Sequence, residues 1–273
     1  MGPELAERVA IITGAAGGIG KALASEMAGR GCRLVLADVD EPLLEATASE
    51  LRAGGGEVVA RVVDVRDAAE VKALVEDAHR DLGRIDFLFN NAGINVCAEI
   101  ADTSLDDWNR LIDVNLRGVV HGVHAVYPIM RAQGFGHIIN TSSAAGLIPA
   151  AAEGAYAATK HAVVGLSSTL RVEAEAHGVR VSVVCPGLVD TPILKSTKYV
   201  KLDPRAIVEA SPQKPIHPKK AAELILRGVR RNDFYIILTA TVQALWRVNR
   251  FAPRVSLRLH RIAIDRFRKS RVD

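Results

Sequence analysis

The sequence predicts an α/β fold: a doubly wound, parallel sheet of about seven strands with helices on both faces. Three observations carry that expectation. Short apolar runs alternate with helical patterns along most of the 273 residues, the arrangement of a parallel sheet covered by helices. Runs such as Ile85-Asp86-Phe87-Leu88-Phe89 are short and apolar, as suits strands buried between helical layers. The first of these runs passes through a glycine-rich turn directly into a helical pattern.

The elements follow in order. Val9-Ala10-Ile11-Ile12 lies in a strand over 8–13, and Ala22, Leu23 and Met27 mark a helix over 18–30. Arg33-Leu34-Val35-Leu36-Ala37-Asp38 is the second strand, with a helix over 42–53 behind it. Gly54-Gly55-Gly56 turns the chain into a strand over 57–63, and a helix over 67–82 leads to a strand over 85–90. The helix expected over 105–132 has Ser104 as its N-cap, with Asp107 three residues on. Strands over 136–142, 179–185 and 234–238 alternate with helices over 155–177 and 218–230. No repeat, low-complexity tract or dividing linker interrupts them.

Composition agrees. With 49% hydrophobic residues the chain can bury a large core in one α/β domain. Cys32, Cys97 and Cys185 lie in or beside apolar runs without metal or disulfide spacing, and read as small buried hydrophobes in a reducing compartment. The eight histidines show no ligand spacing, so no metal is expected. No apolar stretch reaches the roughly 18 residues a membrane span needs, and Met1-Gly2-Pro3-Glu4 is no leader. A cytoplasmic protein is the expectation.

Thr13-Gly14-Ala15-Ala16-Gly17-Gly18-Ile19-Gly20 joins the first strand to its helix. Glycines there let the backbone approach a pyrophosphate, and free N–H groups with the helix dipole favour its charge. The spacing Gly14-x-x-x-Gly18-x-Gly20 differs from the G-x-G-x-x-G fingerprint. Asp38 ends the second strand, where a carboxylate can accept from adenosine ribose hydroxyls and repel a 2′-phosphate. No cation in the turn or in Val39-Asp40-Glu41 offsets it, which favours NAD over NADP. A helix cap for the segment near Pro42 is the alternative role of Asp38.

Tyr156 and Lys160 are one helical turn apart in Tyr156-Ala157-Ala158-Thr159-Lys160, with Ser143 thirteen residues before the tyrosine. Positions i and i+4 share a helix face. An ammonium beside a phenol of ordinary pKa about 10 favours the phenolate, a usable base near neutral pH.

Together these residues make the chain resemble the short-chain dehydrogenase/reductase family over roughly residues 7–240. The matching motifs are Thr13-Gly14-x-x-x-Gly18-Ile19-Gly20, Asp64-Val65, Asn90-Asn91-Ala92-Gly93, Asn115, Ser143, Tyr156-x-x-x-Lys160 and Pro186-Gly187-x-x-x-Thr191. The resemblance implies a Rossmann-type fold and hydride transfer between NAD(H) and a secondary alcohol or ketone. It implies that Tyr156 exchanges the alcohol proton, Ser143 holds the substrate oxygen, and Lys160 both assists Tyr156 and binds the nicotinamide ribose. Asn115 would hold a helix kink and a water that relays protons to Lys160; a satisfied core asparagine is the alternative. Asp64, with Val65 beside it, would accept from the adenine amino group. Asn91, Ala92 and Gly93 would let the backbone approach the ribose. Pro186, Gly187 and Val189 would lie along the nicotinamide, and Thr191 would hold its carboxamide. Ser142 is expected to support the strand or the site. A dinucleotide-binding regulator of the same fold without turnover is the alternative function, and the intact Ser143, Tyr156 and Lys160 argue against it.

Candidate pocket walls are Ile94, Asn95 and Val96, then Ala144 to Ile148, then Leu188, Val189, Ile193 and Leu194. They are mainly apolar, which suggests a terpenoid, steroid or lipid-like substrate. Glu153 reads as a solvated loop charge rather than a group at the pocket rim. Five prolines (192, 204, 212, 215 and 218) make 192–218 a mobile substrate lid. Residues 1–240 are expected to form the dehydrogenase domain and 241–273 a basic extension. Residues 227–273 carry a net charge of +9, from eleven arginines and one lysine against three aspartates. Val255, Leu259, Ile262, Ala263 and Phe267 follow helical spacing there. Packing of that helix on its own domain or a neighbouring subunit is the preferred reading; contact with an anionic membrane is the alternative. Nucleic acid is not an expected partner, and a homo-oligomer, tetramer or dimer, is.

Overall fold

Apolar β-branched runs become strands wherever helices can cover both of their faces. The computed structural model describes residues 5–204 and 214–269. Among them, β1 (Val9–Thr13), β2 (Arg33–Asp38), β3 (Val58–Val62), β4 (Phe87–Asn90), β6 (Gly136–Thr141), β7 (Val179–Cys185) and β9 (Tyr235–Ile237) form one sheet in the order β3-β2-β1-β4-β6-β7-β9. Every neighbouring pair is parallel, so all carboxyl ends lie along one edge. Strand order reverses between β1 and β4, and the crevice beyond that point is where such sheets bind ligands.

The covering helices are α1 (Gly18–Ala28), α2 (Glu41–Ala53), α3 (Ala68–Leu82), α4 (Leu105–Ile112), α5 (Gly118–Gln133), α6 (Gly154–Glu175) and α8 (Pro218–Arg230). Two apolar clusters fill the layers, one on each side of the sheet: Ile11, Val35 and Leu88 belong to one, Ile12, Leu34 and Phe89 to the other. Each such fully buried side chain contributes about 1.5–3 kcal/mol. Sequence-readable caps start several helices. Asp40 accepts from Leu43 N at 3.1 Å, Asp67 from Ala69 N at 2.7 Å and Ser104 from Asp107 N at 3.1 Å, each worth about 1 kcal/mol.

Several features depart from the expectation. The long helix over 105–132 is two helices joined by a π-helical turn, Asp113–Arg117, which contains Asn115. The described part of the expected lid is tied down. It contains α7 (Ile193–Ser196) and β8 (Lys198–Tyr199), and β8 pairs with β5 (Val96–Cys97) in a second small sheet. Lys198 also reaches the Asp107 carboxylate at 2.8 Å. Residues 205–213 of that segment lie outside the described residues.

Beyond β9 come α9 (Ala240–Phe251) and α10 (Pro253–Lys269). Trp246 of α9 packs 4.9 Å from Tyr235, and Asn249 Nδ2 donates to the Leu147 carbonyl at 3.0 Å. The single stripe expected on α10 divides. Phe267 is buried against Cys97, Ala152 and Leu202, and Ile264 packs at the same place. Val255, Leu259 and Ile262 face outward, about half exposed. Arg268 pairs with Glu99 at 2.7 Å. Because Phe267 fills part of an otherwise thin cluster, deleting residues 254–273 is expected to lower the melting temperature by several degrees. An unchanged melting curve in calorimetry would contradict that packing.

Candidate active site

The glycine turn is built for close approach. Gly14 and Gly18 have φ of +65° and +56°, the left-handed region that glycine enters at no steric cost. A Cβ on Gly14 would stand 2.8 Å from Ala92 Cα, and one on Gly20 2.0 Å from the Gly14 carbonyl oxygen. Gly17 starts α1 without a side-chain cap, and no acidic residue lies in the first turn. Ile19 is half-buried at that turn. Thr191 and Pro192 approach Gly18 and Gly17 from the segment after β7. The chain therefore leaves a helix N-terminus with free N–H groups inside a cradle that a Cβ would fill, and these residues fit a dinucleotide pyrophosphate.

Asp38 braces this turn: its Oδ2 accepts from Ala16 N at 3.0 Å and its Oδ1 from Asp40 N at 3.2 Å. Capping of α2 falls to Asp40 instead. Asn91 stitches β4 to β1, with Nδ2 donating to the Thr13 and Gly14 carbonyls at 3.1 and 3.2 Å. Thr13 Oγ1 accepts from Asn91 N and Ala92 N at 3.0 and 3.1 Å. Asp64 is engaged by Arg66, whose Nη2 lies 2.5 Å from Oδ2. The Arg66 hydrogen bond holds the Asp64 carboxyl below the usual range. Val65 is buried, and its carbonyl meets His121 Nδ1 at 2.9 Å.

Lys160 projects from α6 into the protein and is 3% exposed. Its Nζ donates to the Thr141 carbonyl at 3.0 Å and lies 5.5 Å from the Tyr156 ring centre. Burial brings its pKa down to about 8. Gly93 keeps space open beside it: a Cβ there would be 3.4 Å from Lys160 Nζ and 3.1 Å from Asn115 Oδ1. Asn115 clamps Ile94 in both directions, accepting from its N at 2.9 Å and donating to its O at 3.0 Å. It is therefore a satisfied asparagine that also presents its carboxamide next to Lys160.

Tyr156 differs from the expected picture. Burial pushes its phenol up, and the Glu153 charge adds to this, while a hydrogen bond with Ser143 pulls the other way. Lys160 alone does not make it a phenolate. Ser143 also accepts from Ala145 N at 3.2 Å, and Ser142 donates to the Lys160 carbonyl at 2.8 Å, so the two serines divide as expected. Pro186 O accepts from Ala144 N at 2.7 Å, holding the β6 and β7 ends together. Gly187 follows at the cleft side of that contact, half-buried. Thr191 directs its hydroxyl to the Val189 carbonyl at 3.4 Å.

Three walls named from sequence, Leu147, Ile148 and Val189, are buried in the two apolar clusters that cover the sheet. Ile94, Val96 and Tyr156 share a small cluster with Trp108 and Val200. Glu153 is a correction as well: it is no solvated charge but accepts from Asn95 Nδ2 at 2.6 Å, beside Tyr156. Sequence reasoning also missed the buried relay in which Asn90 Nδ2 donates to Asn140 Oδ1 at 2.9 Å and Asn140 Nδ2 to Ser167 Oγ at 3.0 Å. Asparagine inside an apolar strand is the available signal. A cavity of about 520 Å³ opens at the opposite, N-terminal edge of the sheet, lined by Arg8, Arg180 and Arg227 among others. None of the candidate site residues lines it. The candidate site residues lie at the carboxyl edge instead.

Comparison with known proteins agrees with this geometry. The short chain dehydrogenase family model matches residues 8–200. The chain belongs to the short-chain dehydrogenase/reductase family. It is an oxidoreductase of that family, 37% identical over 220 residues to a levodione reductase from Leifsonia aquatica, covering 80% of this chain and 78% of the relative. Oxidoreductase UcpA of Escherichia coli K12 is 42% identical over 194 residues, 71% of this chain and 73% of UcpA. A short-chain dehydrogenase/reductase from Burkholderia phymatum, solved in complex with NAD, superposes with a TM-score of 0.85 at 34% identity, covering 92% of this chain and 96% of that one. The apo form of LigD from Sphingobium sp. strain SYK-6 gives 0.79 at 30% identity, covering 93% and 98%.

Gly20→Ala should force the turn open and weaken dinucleotide binding at least tenfold, about 1.4 kcal/mol. Gly165→Ala, where an added Cβ meets nothing within 4 Å, should leave binding unchanged and stabilise α6 by up to about 1 kcal/mol. Fluorescence titration and melting of the two variants check the pair; equal affinity in both would contradict the cradle.

Proposed function

We propose that this oxidoreductase transfers hydride between NAD(H) and a hydrophobic secondary alcohol or ketone. The observation that carries the reading is the convergence of Ser143, Tyr156, Lys160 and Asn115 beside a glycine cradle at the switch point of the sheet. Bound NAD supplies the hydride acceptor. The protein's share is placement of a proton and a field. Tyr156 takes the alcohol proton or returns it, and Ser143 holds the same oxygen as charge develops on it. Among the described residues Lys160 Nζ has one acceptor, the Thr141 carbonyl, which leaves two N–H donors for ribose hydroxyls. Its positive charge, with that of the oxidised nicotinamide, opposes the burial that keeps Tyr156 protonated. Asn115 stands ready to hold a water against Lys160. Asp64, already held by Arg66, retains lone pairs for the adenine amino group. A relative named levodione reductase supports a reductase reading, and the mainly apolar residues expected along the cleft favour a hydrophobic substrate.

Asp38 supports NAD over NADP, since its carboxylate stands at the ribose end of the turn with no neighbouring cation. Wild-type kcat/KM should favour NAD by more than about tenfold, the effect of 1.4 kcal/mol, and Asp38→Ala with an arginine at Val39 should narrow or reverse it. A native preference for NADP would end this part of the proposal. Homo-oligomerisation, as a tetramer or dimer, is proposed from the family and from the outward row Val255, Leu259 and Ile262. A single-chain mass in sedimentation, or binding of that row to anionic vesicles instead, would contradict it.

Tyr156→Phe should lower turnover by about 10²–10⁴-fold with NAD still bound, and Lys160→Ala should weaken both turnover and NAD affinity. Because burial raises the Tyr156 phenol and oxidation needs the phenolate, kcat/KM for alcohol oxidation should climb with pH across neutrality. Ketone reduction, which needs the phenol, should stay flat there. A pH-independent oxidation, or an active Tyr156→Phe enzyme, would remove Tyr156 from the proton-transfer role.

A further inference from the structure

Glu153 is the residue before the first turn of α6, where Ser, Thr, Asp or Asn would cap the helix. It makes no capping hydrogen bond. Its side chain instead turns toward β5, where Oε1 accepts from Asn95 Nδ2 at 2.6 Å and from Cys97 Sγ at 3.4 Å. The backbone fixes this approach, since Ala98 N donates to the Ala152 carbonyl at 2.7 Å and Ala98 forms an isolated bridge with Glu153. Both anchors of the carboxylate are therefore spent on one oxygen. Among the described residues Oε2 has no protein partner, yet it is not a sealed atom: the residue keeps partial solvent access. Asn95 Oδ1, on the other side of the same pair, is buried without a partner.

Position decides what such a group can do. Glu153 is the N-cap of α6 and Tyr156 the third residue of that helix, and the Glu153 charge acts directly on the Tyr156 phenol. Cys97, which holds Glu153, sits in the cluster closed by Leu202 and Phe267. Oε2 keeps free acceptor sites, and a partly buried carboxylate oxygen favours a hydrogen-bonding partner over an apolar group.

We propose that Glu153, held by Asn95 and Cys97, is a polar subsite that binds a second hydroxyl of the substrate, a few bonds from the carbon that Tyr156 serves. The proposal rests on the dehydrogenase reading and narrows its substrate class from simple ketones to diols and hydroxyketones. A hydroxyl suits the position in either protonation state of the carboxyl, because it can donate to a carboxylate and accept from an acid. Burial pushes the Glu153 carboxyl up, while the hydrogen bonds from Asn95 and Cys97 oppose this.

The test compares cyclohexanol with the cis and trans 1,2- and 1,3-cyclohexanediols. Turnover with NAD is measured in one arm. In the other, calorimetry measures binding to NAD-loaded Tyr156→Phe protein, which reports recognition without chemistry. At least one diol should exceed cyclohexanol tenfold in kcat/KM and in affinity. Glu153→Leu should collapse the diol-to-cyclohexanol ratio to within about twofold of unity, and Asn95→Leu, which unties the carboxyl, should also shrink it should Glu153→Leu fail to fold. Equal binding of diols and cyclohexanol by the parent protein, or a ratio that survives both substitutions, would overturn the subsite. Selective diol binding without turnover of any alcohol would instead support the subsite and sink the dehydrogenase reading.

Discussion

Lys160 carries its ammonium into the interior, and most of the site can be understood as what that charge requires. A buried ammonium is costly unless it is hydrogen-bonded, and here the protein supplies the Thr141 carbonyl at 3.0 Å. To bring that carbonyl into place, β6 must end where α6 passes over it, and Ser142 fixes the crossing by bonding the Lys160 carbonyl. Gly93 must lack a side chain, since a Cβ would crowd both Lys160 and Asn115. The π-helical turn aims Asn115 at the same point, and Asn115 in turn fixes Ile94 at the start of the cleft. One charge thus couples three strand ends and two helices. In the proposed function its remaining donors serve the cofactor ribose.

The seven strands of the main sheet were legible to within two residues at each end. Parallel strands covered on both faces need apolar residues at nearly every position, and Val9-Ala10-Ile11-Ile12 or Val179-Arg180-Val181-Ser182-Val183-Val184 can do little else. Features set by contacts distant in sequence were not legible. β5 and β8 are two residues each, too short for any periodicity, and exist because Val96 and Lys198 meet across the cleft. The π-helical turn leaves the helical pattern around Asn115 almost unaltered. α9 was missed because its apolar face is narrow and its buried contacts, such as Trp246 on Tyr235, lie in the tertiary structure.

Within the site, the places of the motif residues in the fold were more legible than the packing of the expected walls. Gly14, Asn91, Ser143, Tyr156 and Lys160 lie at strand ends or a helix start whose positions the topology dictates. Walls depend on how loops fold back, so Leu147 and Ile148 pack into one core cluster while Cys97, Tyr199 and Phe267 gather in another. Glu153 shows the limit most clearly. A glutamate in a loop is ordinarily solvated, and only the partner residue Asn95, 58 positions away, reveals otherwise. The family match ends at residue 200, and Leu202 and Phe267 lie past it. The motif residues lie within the matched part, whereas the packing of Leu202 and Phe267 rests on contacts outside it.

The ionisation of Lys160 tests this account most directly. Heteronuclear NMR of protein labelled with ¹⁵N-lysine should show one side chain titrating near 8 in the ligand-free protein, about two units below the ordinary lysine value. Saturating NAD should move that titration upward, as ribose oxygens take up the free donors. A Lys160 that titrates like a surface lysine and ignores NAD would contradict the organising role assigned to it.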